Sequence, residues 1–153
     1  MDATTEEIVF AEFLSELLAN LSTRSMTIHD LFHLQISELF NNERFFKMND
    51  SILRKWQIIM RSNLKKNDAN FVDLLTKLNY EVSTETWTKE IKALTFKKIS
   101  FLAYSCKVKS FDVQIDQLLQ TMTLGFKIKD KNREIRMQLF LLSRIIMMRL
   151  EDR

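Results

Sequence analysis

Proline is absent from this chain of 153 residues, and glycine occurs once, at Gly125. Sheets that form sandwiches or barrels need many tight turns, and such turns depend on glycine and proline. Helices need neither residue in their interiors, where both are unfavourable. The chain is therefore predicted to be all-α, with its helices joined by short polar turns.

Apolar residues recur every three or four positions along most of the chain, as they do on one face of a helix. Capping signals precede several of these stripes, among them Thr27 with Asp30 and the run 49–51. The pattern predicts about seven helices. We expect HEAT-like stacked helical hairpins, an α-solenoid fragment, with a compact bundle as the alternative architecture. Residues 1–153 are predicted to form a single helical-repeat domain that is a fragment of a much larger protein.

Three expectations concern packing. Gly125 is predicted to follow the end of a helix, at the position where a residue without Cβ is favoured. The final helix, from Arg133 onward, is apolar almost all round and is expected to be buried on more than one side. If the chain ends at Arg153, we expect that helix to lack a neighbour. The first stripe predicts an amphipathic helix; its members are Val9, Phe10, Phe13, Leu14, Leu17, Leu18 and Leu21.

The cysteine content and the hydropathy of the chain indicate its cellular compartment. The lone cysteine, Cys106, excludes an intramolecular disulfide and lies in an apolar run, where a small buried hydrophobe is expected. Polar and acidic residues follow Met1, so no signal peptide is recognisable. The longest apolar run, 137–148, is too short to cross a bilayer. We therefore expect the cytosol, or a membrane surface that faces it.

No pattern in the sequence indicates catalysis. His29 and His33 are spaced to share a metal on one helix, but no third ligand lies nearby in the sequence. One glycine cannot form a phosphate-binding loop, and no nucleophile elbow is present. We therefore predict no enzyme activity, no metal site and no cofactor.

Two surfaces are candidate binding sites. The apolar excess of the final helix predicts an exposed contact for a protein partner or a second copy of the chain; its residues are Leu139, Leu142, Ile146 and Leu150. The net charge is +3, and the densest basic cluster either contacts anionic lipid headgroups or is a solvated loop; it comprises Lys127, Lys129, Lys131, Arg133 and Arg136. Nucleic-acid binding is not expected, because it calls for a denser basic stripe.

The segments ELFNNERFFKMNDSILRKWQIIM and NFVDLLTKL resemble the C-terminal region of the Dopey family, as do LTFKKISFLAYS and REIRMQLFLLSRIIMMRL farther along. The similar run in that family has an acidic-Leu-Phe segment, paired Phe, a Met, a Trp-containing helix and a Phe-x-Asp-Leu-Leu-like helix. The resemblance covers roughly residues 28–152. The matching positions are Leu39, Phe40, Phe45, Phe46, Met48, Trp56, Phe71, Asp73 and Leu74.

The resemblance implies a function. Dopey proteins are very large cytosolic scaffolds, peripheral on Golgi and endosome membranes, without known catalysis. They act in traffic between endosome and Golgi with a giant HEAT protein related to Sec7 exchange factors and with a phospholipid flippase. On this basis we expect a scaffold module that binds a partner or itself through apolar helix faces. A membrane-surface module that binds anionic lipid is the alternative.

Overall fold

The computed structural model describes residues 4–24, 26–66, 76, 80, 88–105, 115–127 and 133–151. Within these ranges the chain forms six α-helices and one 3₁₀ turn, and no strand. The helices are α1 Thr5–Arg24, α2 Met26–Asn41, α3 Asp50–Lys66, α4 Lys89–Ser105, α5 Ile115–Lys127 and α6 Arg133–Glu151, with the 3₁₀ turn at Phe45–Lys47.

This architecture confirms the predicted all-α class and is consistent with stacked helical hairpins. Apolar residues at Phe71, Leu74, Leu75 and Leu78 predict a further helix, of which the structure describes Thr76 alone, in a helical conformation. The chain divides into two compact units, residues 1–63 and 64–153. The single helical-repeat domain stays a prediction.

The first unit begins its helices with side-chain caps. The Thr4 amide donates to Glu7 Oε2 at 2.7 Å, and the Glu7 amide donates to Thr4 Oγ1 at 3.3 Å, which is a capping box. The cap predicted in the run 49–51 is Asn49, whose Oδ1 accepts from the Ile52 amide at 2.9 Å. These caps fix where α1 and α3 begin.

Phe45 is the centre of the apolar core of this unit. Its ring meets the rings of Phe40 and Phe46 at 5.1 Å and the ring of Trp56 at 5.2 Å, in each case edge to face. Such pairs are favourable beyond the area they bury. Phe40, Phe45 and Trp56 are all buried. The 3₁₀ turn is therefore packed against α2 and α3.

The second unit is built around α4. Phe96, Ile99, Leu102 and Ala103 are fully buried on this helix, and only 6% of the surface of Lys98 reaches solvent. Near the C-terminal ends of the two helices, Arg149 of α6 donates a hydrogen bond to the carbonyl oxygen of Tyr104, and its guanidinium lies 5.3 Å from the Tyr104 ring centroid. The positive charge of Arg149 at this position stabilises the C-terminal end of α4, where the last backbone carbonyls lack partners within the helix.

Gly125 corrects one prediction from the sequence. It does not follow a helix but lies inside α5, and its φ is not positive. A Cβ at this position would lie 2.5 Å from Leu139 Cδ2 and 2.6 Å from Phe96 Cζ. Glycine is needed because α4 and α6 both approach the backbone of α5 there. Helices α4 and α6 run parallel. Phe96 and Leu139 both approach Gly125 from the middle of their helices, and Arg149 contacts Tyr104 near the C-terminal ends of both.

Substitution Gly125→Ala is expected to destabilise the second unit. Overpacking costs about 1–3 kcal/mol, and here we expect the upper part of that range, about 2–3 kcal/mol, because the added Cβ would lie within 2.6 Å of two different side chains. The better helix propensity of alanine returns about 1 kcal/mol. We expect a net loss of about 1–2 kcal/mol in the free energy of unfolding, measured from urea titrations followed by circular dichroism.

Gln120→Ala, at an exposed position of the same helix, is the matched control and should leave stability unchanged or slightly raised. Equal stability of Gly125→Ala and this control would contradict the close approach of the three helices.

Candidate protein-interaction surfaces

Three polar contacts orient α1 against α3. Asn49 Nδ2 donates to Glu12 Oε1 at 3.1 Å, Lys55 Nζ donates to Glu16 Oε2 at 2.5 Å, and Ser62 Oγ donates to the Ser22 carbonyl oxygen at 2.5 Å. The numbers of the paired residues rise together along both helices. Therefore α1 and α3 run parallel, and α2 returns between them.

The side of α1 that is buried carries small residues. Ser15, Ala19 and Ser22 are 8%, 6% and 0% exposed, and Ser15 Oγ donates to the Ala11 carbonyl oxygen at 2.7 Å. Because serine and alanine are short, this side of α1 can approach its neighbours closely. Its position also determines which residues are left on the opposite side of the helix.

The opposite side is a continuous apolar surface that we call the α1 face. Phe10 and Phe13 are each 62% exposed, and the full set is Val9, Phe10, Phe13, Leu14, Leu17 and Leu21. The helix predicted from this stripe is present as α1, and its apolar side is exposed in the described structure. Glu12 and Glu16 can reach Asn49 and Lys55 only if the apolar stripe points away from α3.

The glutamates of α1 lie in its first turn and on its side toward α3. The helix carries Glu6, Glu7, Glu12 and Glu16 against one cation, Arg24, so its formal charge is +1 − 4 = −3. The hydrogen bond from Lys55 Nζ holds the pKa of the Glu16 carboxyl below its ordinary value. The bonds to Thr4, that from its backbone amide above all, lower the pKa of Glu7 in the same way. Both groups are therefore ionised at neutral pH.

The candidate interface on α6 requires a correction. Leu139, Leu142 and Ile146 are 2%, 0% and 2% exposed, so they form the core of the second unit and not an exposed contact. The side chain of Leu150 lies outside the described residues. Leu139 is near Gly125 and Phe96, which explains why this side of α6 is turned inward.

A different apolar surface of α6 is exposed, and we call it the α6 face. Phe140 is 67% exposed on it, and the apolar members are Met137, Phe140, Leu141, Met147 and Met148. Helical spacing places the exposed Arg133, Arg136 and Arg144 on the same face. The helix contains four arginines and two glutamates, a formal charge of +4 − 2 = +2. The only signal for this face in the sequence is that apolar residues occur on both sides of α6.

The predicted basic cluster is described in part. Lys127 is exposed at the end of α5, and Arg133 and Arg136 are exposed in the first turn of α6. Lys129 and Lys131 lie outside the described residues. Two arginines of the cluster, Arg133 and Arg136, therefore share the α6 face with Met137 and Phe140.

The described part of the chain can also be examined for a metal site and for a membrane-spanning helix. Its residues contain no group of three or more His, Cys, Asp and Glu that could hold a metal ion. The side chains of His29, His33 and Cys106 lie outside the described residues. Among the described helices, none has the length and apolar character needed to cross a membrane.

Distant relatives can be recognised by sequence. The chain is 22% identical over 143 residues to the protein pad-1 of Caenorhabditis elegans and 21% identical over 143 residues to that of Caenorhabditis briggsae, with 89% of the chain covered in both cases. It is 22% identical over 154 residues to the DOP1 homolog of Drosophila melanogaster, with 96% of the chain covered. No family model and no solved structure matches.

The chain spans about 6% of the length of each of these relatives. The similarity to the DOP1 homolog supports the resemblance to the Dopey family as a distant one. The assignment to the C-terminal region of that family stays a prediction.

Proposed function

We propose that this chain is a non-catalytic interaction module of a Dopey-like protein, which acts in endosome-to-Golgi vesicle traffic by binding a protein partner or itself through apolar helix faces. The observation that carries the proposal is the pair of exposed apolar surfaces, the α1 face and the α6 face. The cellular setting we propose comes from the resemblance to the Dopey family, which the distant similarity to the DOP1 homolog supports.

The size of these faces supports a role in binding. Each presents five or six large apolar side chains, about half exposed, which amounts to roughly 500 Å². Contiguous apolar patches above a few hundred Å² are typical of interaction sites on folded proteins. The flexible methionines of the α6 face can adapt to more than one partner shape.

The partners we propose come from the family resemblance. They are a giant Sec7-related HEAT protein of the Golgi and a phospholipid flippase, met at the cytosolic side of Golgi and endosome membranes. The described residues present two exposed apolar faces, an arrangement suited to assembly. We propose neither catalysis, nor a cofactor, nor nucleic-acid binding for this module.

A substitution on the α6 face tests the proposal in cells. In the full-length protein that contains this chain, Met137→Asp with Phe140→Asp replaces two exposed apolar side chains by charges, which a binding partner could not bury. Return of a cargo receptor from endosomes to the Golgi should slow at least about threefold. The measurement is the half-time of return of a surface-labelled receptor.

The matched control, Gln120→Asp with Thr123→Asp, adds the same charge at exposed polar positions of α5 and should leave the half-time unchanged. The α6 variant must melt at the wild-type temperature as the isolated chain. Normal receptor return in a folded, normally expressed α6 variant would rule out this face as the site of function.

A specific observation favours the alternative, a peripheral module that binds anionic lipid headgroups. Exposed Lys127, Arg133 and Arg136 lie near exposed Phe126 and Phe140. Basic residues beside apolar ones are typical of segments that lie in a membrane surface. Each basic residue near an anionic membrane contributes about 1 kcal/mol to binding.

Liposome binding separates the two proposals. If the alternative holds, Lys127→Glu with Arg136→Glu should weaken binding to phosphatidylserine vesicles by at least about tenfold, and high salt should do the same. Vesicle sedimentation measures it, and the charge-matched control is Lys47→Glu with Arg54→Glu at exposed positions of the first unit. No binding by the wild-type chain at low salt would exclude the lipid function.

A further inference from the structure

Helix α1 contributes little to the apolar core of the first unit. Of the buried apolar residues that the structure describes in this unit, α1 supplies only Ala19. The helices α2 and α3 supply large side chains instead, which are Ile36, Phe40, Ile52, Trp56, Ile59 and Met60. Burial stabilises a packed helix roughly in proportion to the apolar area that it removes from water. The hydrophobic effect therefore holds α1 in place far less firmly than it holds α2 and α3.

The large apolar residues of α1 add little to its attachment. Val9, Phe10 and Phe13 are each at least 60% exposed, so docking of the helix removes only a small part of their surface from water. Leu18 is half-buried, and the remaining buried positions, Ser15 and Ser22, are polar and small. Separation of α1 from the first unit would therefore expose little new apolar surface.

The three polar contacts with α3 account for much of what remains. The side chain of Glu16 is 63% exposed in its ion pair with Lys55, and an exposed pair contributes little to stability. The hydrogen bond from Ser62 would be exchanged for one to water if the helix moved away, so its net contribution is also modest. These contacts orient α1, but they hold it weakly.

The aromatic core of the unit is complete without α1. Phe45 packs edge to face against Phe40, Phe46 and Trp56, and these residues belong to α2, the 3₁₀ turn and α3. Because no ring of this cluster comes from α1, departure of the helix leaves the cluster intact.

We propose that α1 is a detachable arm, which undocks from the first unit as a whole helix while the core around Phe45 stays folded. The inference goes beyond the proposed function, because undocking needs no partner. Proteins open in cooperative pieces, and the piece with the least buried apolar surface opens first. A partner that binds the α1 face can draw the helix away from α3 without unfolding the unit.

Hydrogen exchange of the native 153-residue chain tests the arm, at a dilution where the chain has the mass of one copy. A lone helix of this length is marginal in water, so the amides of α1 exchange when it undocks. We expect the amides of residues 12–20 to share one protection factor. It should lie at least about tenfold below the protection factors of Ile59 and Met60 in α3.

A substitution at the contact with α3 shows whether docking controls this exchange. Lys55→Met removes the ion pair with Glu16 and should speed exchange across α1 about two- to fivefold, without changing exchange at Ile59 and Met60. Arg54→Met, the matched control, removes the same charge from the neighbouring exposed position of α3 and should change neither helix.

Three results would overturn the proposal. Equal protection in α1 and at Ile59 and Met60 would mean that the first unit opens as one piece. Protection that falls gradually from the middle of α1 toward its ends would mean that the helix frays without undocking. Unchanged exchange of α1 in Lys55→Met would mean that docking does not control it. The proposed function would survive each of them, because the receptor-return experiment tests the α6 face.

Discussion

The polar contacts between α3 and α1 decide which residues of the first unit meet water. Lys55 and Asn49 hold Glu16 and Glu12, and Ser62 holds the backbone at Ser22, so the small-residue side of α1 is turned inward along its length. The one ion pair among these contacts, Lys55 with Glu16, is exposed and weak alone, and the three contacts together fix the rotation of the helix. Once that rotation is set, Phe10, Phe13 and the leucines can only point outward.

In the second unit, close packing at a glycine determines which side of the last described helix is exposed. Gly125 lets α5 approach Phe96 of α4 and Leu139 of α6, which buries one side of α6 and leaves Phe140 and its neighbours exposed on the other. Each unit thus carries an apolar helix face, and arginines accompany the one on α6. For a chain distantly similar to the DOP1 homolog of Drosophila melanogaster, two such faces are the basis of the proposed role in assembly.

The sequence predicted what depends on near neighbours. Helical periodicity predicted the all-α class, and capping rules predicted Asn49 at the start of α3. It failed where residues distant in sequence decide the outcome. Periodicity identifies a stripe on α1 but not the direction in which it points, because Asn49 and Lys55 lie 37 and 39 residues from their partners. Local rules predicted that Gly125 follows the end of a helix, yet glycine is needed there because Phe96, 29 residues away, approaches the backbone of α5. On α6, leucines and methionines occupy both sides, so the sequence selected Leu139 and Leu142, which the structure buries.

The rotation of α1 is the central claim, and thiol labelling tests it most directly. Single cysteines are placed at Phe13, 62% exposed, and at Ala19, 6% exposed, in a Cys106→Ala background, at a dilution where the chain has the mass of one copy. The account predicts that Phe13→Cys reacts with a maleimide at least about tenfold faster than Ala19→Cys, and nearly as fast as in the unfolded chain. Faster labelling at Ala19→Cys, or equal rates at both positions, would mean that the apolar stripe faces the core, and the account would be wrong.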